Sequence, residues 1–126
     1  VTDLVRSFRD LEAYRTPLAL AVDIHALTKM MPPDERYVLA SQMHRASHSV
    51  CQNIAEAWRK RRYEAAFVAK LSDAETEAGE MQCCLDIALR LNYLDQDRHA
   101  ELDARYEQVL GKIVRMITGS SRWCTL

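Results

Sequence analysis

The sequence predicts an all-α protein, an antiparallel up-down four-helix bundle. Three observations carry this. Apolar residues recur at alternating spacings of three and four in four separate stretches, which is the period of one helix face. The connections between those stretches are short, so successive helices must return antiparallel. The chain also has only three Gly and three Pro in 126 residues, too few for a turn-rich β architecture, and no convincing strand pattern. One domain is expected over 1–126, with helices at about 10–31, 34–60, 63–92 and 96–118 and a loose tail at 119–126.

The first helix rests on Leu20, Ile24, Leu27 and Met31, with a neighbouring row of Leu11, Leu18, Val22 and His25. Pro17 lacks an N–H and clashes with the preceding turn, at about 3 kcal/mol inside a helix. Either the regular helix begins near Ala13 or it is kinked at Pro17. Pro32 and Pro33 supply a stop. Asp34 and Glu35 then suit the positive end of a second helix. That helix carries two adjacent stripes: Leu39, Met43, Ala46, Val50, Asn53 and Ala57, and beside them Ser47, Cys51, Ile54 and Trp58. Two stripes mean a helix touched on two sides, inside a bundle or where a bundle meets another copy of itself.

The third helix has the strongest periodicity, with Phe67, Leu71, Ala74, Ala78, Met81, Leu85 and Ala88 unbroken at four and three. Its small Ala residues let a partner helix approach closely. Its polar face carries Asp73, Glu75, Glu77 and Glu80 and is acidic. Asn92 fits a left-handed C-terminal position and Asp95 an N-cap. The fourth helix is marked by Leu102, Tyr106, Val109, Ile113 and Met116 and ends at Gly119.

Composition excludes several function classes. The net charge is −1, so no global basic field marks an obligate nucleic-acid binder. No apolar run is long enough to span a membrane and the start VTDLVRSFRD has no signal-peptide core, so a cytoplasmic protein is expected. Cys51, Cys83, Cys84 and Cys124 lack paired spacing and read as reduced thiols, the first three as helix filling. His44 and His48 lie one turn apart, as two metal-binding imidazoles can. No third ligand is evident, His25 and His99 are isolated in sequence, and no Glu-x-x-His pair is present, so no metal and no cofactor is expected. With no nucleophile elbow and no phosphate loop, the chain is read as a non-enzyme.

The remaining signal is local charge. Between His44 and Lys70 six basic residues, Arg45, Arg59, Lys60, Arg61, Arg62 and Lys70, face only Glu56 and Glu64. Such a patch can hold phosphates, or pair with the acidic third helix of another subunit. The phosphate reading assigns Arg45, Arg59, Lys60, Arg61 and Arg62 to nucleic acid. If His44 and His48 face the same ligand, binding tightens as pH falls toward about 6. Asn53 and Glu56, one turn apart, are expected to join Arg36, Gln42 or Arg45 in a polar cluster that fixes helix register.

These residues also carry a resemblance. FRDLEAYRTPLALAVDIHALTK, ERYVLASQMHRASHSVCQNIAEAWRKR, FVAKLSDA and LDIALRLNYL resemble the four-helix-bundle family first met in intervening sequences of bacterial 23S rRNA genes. The family pattern, approximately E-R-[YF]-x-L-x-x-Q-x-R-R-A-x-x-S-[IV]-x-x-N-I-A-E-G, is matched at Glu35, Arg36, Tyr37, Leu39, Gln42, Arg45, Ala46, Ser49, Val50, Asn53, Ile54, Ala55 and Glu56. The chain departs from it at His44 for Arg, Ala57 for Gly, Cys51 for a common Pro, and Thr76–Glu77 for Gly-Ser. The missing Pro implies a straighter second helix, and the missing Arg a weaker phosphate contact. The family is similar to the accessory protein of diversity-generating retroelements. That resemblance implies a homopentamer, with RNA or DNA and a reverse transcriptase or ribonucleoprotein as partners; the lack of a long apolar run predicts no membrane partner. A structural or protein-interaction oligomer with no nucleic-acid role is the alternative.

Overall fold

The computed structural model describes residues 5–124. Four long helices, α1 Glu12–Lys29, α2 Leu39–Arg59, α3 Glu64–Arg90 and α4 Gln96–Thr118, are followed by a single helical turn, α5 Ser120–Trp123. Each long helix packs on the next, and α4 closes back on α1. The direction is legible in side-chain pairs. Arg45 of α2 meets Glu80 of α3, whereas Glu56, further along α2, meets Lys70, earlier on α3. Asp23 and Glu12 of α1 meet Arg105 and Lys112 of α4 in the same reversed order. The bundle is therefore up-down and antiparallel.

The core follows the stripes. All seven positions read on α3 are fully buried, as are Leu102, Tyr106, Val109 and Ile113 of α4, with Met116 nearly so. On α2 both stripes are buried within the one chain, Ser47, Cys51, Ile54 and Trp58 included; Asn53 is half-buried. In the first segment Leu20, Ile24 and Met31 are buried and Leu27 half-buried, whereas of the neighbouring row only Leu11 is buried: Leu18 and Val22 stay 43% and 65% exposed, and His25 is exposed.

Where bounds differ from expectation, local chemistry explains it. α1 begins at Glu12, one residue before Ala13, so Pro17 falls in the second turn, its ring buried and no N–H available for the Ala13 carbonyl. The segment before it is a 3-10 turn, Phe8–Asp10, capped by Ser7. Asp34 and Glu35 belong to a second 3-10 turn, Pro33–Glu35, rather than to α2, because the Pro pair sets the chain on a different path. Glu35 still serves the helix start. One of its oxygens accepts from the Leu39 N–H at 3.4 Å and the other from the Tyr93 hydroxyl at 2.6 Å. That carboxylate pushes the Tyr93 pKa up to about 12. Asn92 is left-handed at φ 63°, with Tyr93 N–H bonded to the Ala88 carbonyl and Asn92 N–H to that of Leu89, a Schellman end for α3. Asp95 caps α4 by accepting from Arg98 N–H at 2.8 Å. Residues 119–124 are not a loose tail: Ser120 is buried and donates to the Glu64 carboxylate, and Trp123 meets Trp58 edge-on. The last two residues of that expected tail, 125 and 126, lie outside the described residues.

Candidate nucleic-acid interface

The antiparallel order gathers the start of α1, the end of α2, the start of α3 and the end of α4 at one end of the bundle. Two helix N-termini and two C-termini meet there, so their dipoles oppose one another and the side chains set the field. Arg59, Lys60 and Arg62 are exposed and have no acidic partner among the described residues. Arg61 is held differently. Its guanidinium lies 3.6 Å from the Trp58 ring centroid and its Nε donates to the Trp58 carbonyl at 2.9 Å. Burial lowers its pKa, yet a guanidinium remains protonated. The fold adds cations that the local run did not reveal. Arg115 lies in the last turn of α4 and Arg122 on α5, both exposed, and neither has an acidic partner among the described residues. Nothing in the linear sequence joins them to Arg59–Arg62; the Trp58–Trp123 and Ser120–Glu64 contacts do.

Arg45 is not part of this end. Its guanidinium bonds Glu77 at 3.1 Å and Glu80 at 2.6 Å, chiefly the Glu80 hydrogen bond raising its pKa. Fourteen residues separate it from Arg59, about 21 Å along a helix. Glu77 stands where the resembled family has Ser, so a departure in α3 neutralises the α2 arginine. The expected polar cluster does not assemble either. Asn53 donates to the Ser49 carbonyl of its own helix, Glu56 pairs with Lys70 at 3.3 Å, and Gln42 and Arg36 are exposed with no side-chain partner among the described residues. Asn53 turns back on α2, Glu56 reaches across to α3, and Gln42 and Arg36 face outward, so the four do not meet and register rests on the core stripes instead.

A cluster that the sequence left scattered does form at the α1–α2 contact. His25 stacks on His44 with centroids 5.4 Å apart, and His44 on His48 at 6.2 Å. The His44 Nε2 is 2.7 Å from Thr28 Oγ1, whose hydroxyl also lies 2.8 Å from the His25 carbonyl. Burial, then the charges of His25 and His48, lower the His44 pKa. The rings stack face to face instead of converging, and no group of three metal-ligating side chains among the described residues is arranged to hold an ion. The cluster lies about 16–22 Å along α2 from Arg59, so these histidines do not face the basic end. The helical spacing of His44 and His48 was visible in sequence; His25 needed the tertiary contact.

The thiols are all free. Burial pushes Cys51 up to about 11 and also raises Cys84, while Cys83 is exposed rather than helix filling. Cys51, at the position of the absent Pro, leaves α2 uninterrupted from Leu39 to Arg59. No helix among the described residues is long and apolar enough to cross a membrane.

No curated protein matches this chain. A solved structure of a protein of unknown function from the S23 ribosomal protein family of Bacteroides thetaiotaomicron VPI-5482 has the same fold. It is 24% identical, with a TM-score of 0.76 over 84% of this chain and 95% of that one. The model of the 23S rRNA-intervening sequence protein family matches residues 9–115, covering α1, α2, α3 and all but the last three residues of α4, and the chain belongs to that family.

Proposed function

We propose that this chain is a non-enzymatic homo-oligomeric scaffold that holds RNA or DNA on the basic end of its bundle, by itself or within a ribonucleoprotein. The observation that carries this is the set of unpaired cations at one end, Arg59, Lys60, Arg62, Arg115 and Arg122, with Arg61 fixed over Trp58. Cations tied up by carboxylates have little to give a phosphate; these have no such partner among the described residues. The family's name, which refers to intervening sequences of 23S rRNA, favours RNA as the first ligand to try. The pentamer and the reverse transcriptase or ribonucleoprotein partner rest on the resemblance. The test is titration of single-stranded RNA and duplex DNA into wild-type protein and into the triple variant Arg59→Gln, Arg61→Gln, Arg62→Gln at low salt. Wild-type binding that the variant loses supports the proposal; no wild-type binding overturns it.

A second reading, an interaction oligomer with no nucleic-acid role, is favoured by α1. The double stripe of α2 needs no second subunit, since α1 and α3 cover it. Leu18 and Val22 remain open, beside a hollow that His25, His48 and Gln52 also line. Light scattering coupled to size exclusion separates monomer from assembly. Both readings expect a mass several times 14.5 kDa, about five times for the pentamer, and a clean monomer contradicts both.

A further inference from the structure

Beside the basic end the structure has a pocket of about 500 Å³, within the range of about 300–1,000 Å³ usual for small-ligand sites. Val5, Leu11, Met116 and Trp123 give it an apolar lining, and Lys112, Arg115 and Arg122 bring cations to it. Its two acidic residues are occupied. Asp10 accepts from the backbone N–H groups of Arg6 and Ser7 and its charge is offset by Arg15 at 3.9 Å, outside the pocket, and Glu12 is 3.9 Å from Lys112. The charge left uncompensated among the described residues is that of Arg115 and Arg122. An apolar, partly aromatic lining beside two free guanidinium groups fits a ligand that is flat and uncharged at one end and anionic at the other. A nucleobase with its phosphate has that chemistry. A base paired and stacked in a duplex does not offer itself in this way.

We infer that the pocket takes the unstacked base of a single-stranded nucleic acid, Trp123 and Met116 against the base and Arg115 and Arg122 on its phosphate. This rests on the nucleic-acid reading above and deepens it: the phosphates of the strand run over Arg59–Arg62, and the pocket selects single strands over duplex. Trp123 is the residue at which the two parts meet, since it lines the pocket and packs against the Trp58 that carries Arg61.

The experiment compares three probes of equal length at one low salt concentration: a uridine oligonucleotide, an abasic sugar-phosphate strand and a DNA duplex. Trp58→Phe leaves Trp123 as the only tryptophan, so its fluorescence reports the pocket in a folded chain. The proposal expects the uridine strand to bind at least about fivefold more tightly than the abasic strand, the effect of one stacked base, and to quench Trp123. Equal binding of the uridine and abasic strands with no quenching overturns the pocket and leaves the basic-end reading standing. Failure of all three probes to bind overturns both. A Met116→Gln variant, changed at the apolar lining, should lose the preference for the uridine strand while keeping its affinity for the abasic one; an unchanged preference counts against the pocket.

Discussion

Arg45 and the run Arg59–Arg62 lie on one helix and carry the same charge, yet their surroundings are opposite. Arg45 faces the acidic flank of α3 and shares two carboxylates, Glu77 and Glu80. Arg59, Lys60 and Arg62 lie where α2 has run out, beside the start of α3, and Glu64 there accepts from the Ser120 hydroxyl and makes no ion pair with them. Antiparallel packing decides the difference: the turn of α3 opposite a given turn of α2 sets whether a cation is spent or available. A charge run is therefore a statement about chemistry, and its availability is a statement about the neighbouring helix.

The largest effect should separate these two regions directly. The triple variant Arg59→Gln, Arg61→Gln, Arg62→Gln removes about three phosphate contacts, which lowers the slope of log affinity against log salt by about 2.7 at roughly 0.9 per duplex phosphate. Filter binding or fluorescence anisotropy reads this. Equal loss from Arg45→Gln would break the comparison, since Arg45 is expected to leave binding unchanged.

Next is a difference in pH response. His44 has a folded pKa below its usual value, so in the pH region near and below about 6.5 the unfolded chain binds more protons than the folded one. Stability is then full above the unfolded pKa and falls as pH drops through that value toward the folded one. Lys29 and Arg36, with His44 around the hollow at the α1–α2 turn, add positive charge, and no carboxylate among the described residues lines it. Thermal melts from pH 8 to pH 5 should show this loss, and His44→Gln, which can still bond Thr28, should reduce it. Because the cluster is remote from the basic end, acidification should act through stability and not tighten nucleic-acid binding through His44.

The core offers a smaller effect. Tyr106 is fully buried with a hydroxyl that has no hydrogen-bond partner among the described residues, and burial is the main cause of its raised pKa. Removing an unsatisfied buried polar group relieves about 1–3 kcal/mol of desolvation, so Tyr106→Phe should raise stability by about 1 kcal/mol in urea unfolding. The smallest effect is at Arg45. Its side chain is 54% exposed, so screening by solvent reduces what its ion pairs contribute, and Arg45→Gln should cost under about 1 kcal/mol.

The fold was legible in the sequence because its cause is periodic. Phe67 to Ala88 and Leu102 to Met116 each repeat one face, and burial follows the repeat. Asn92 and Asp95 were legible because a left-handed C-terminus and an N-cap each demand a small set of side chains. The site was legible only as far as its covalent neighbours. Arg59–Arg62 adjoin in sequence, but Arg115 and Arg122 join them through the α4–α5 return, and His25 joins His44 across two helices. The polar cluster failed for the converse reason. Asn53, Glu56, Gln42 and Arg36 share a motif, but each can satisfy itself on its own helix, on Lys70 or in water.

The most direct test of the central claim is the salt dependence of single-stranded RNA binding, measured side by side for the wild type, Arg45→Gln and the Arg59, Arg61, Arg62 triple variant. Parallel steep lines are expected for the wild type and Arg45→Gln, and a shallower, weaker line for the triple variant. Three parallel lines, or a wild type that does not bind at low salt, would contradict that claim.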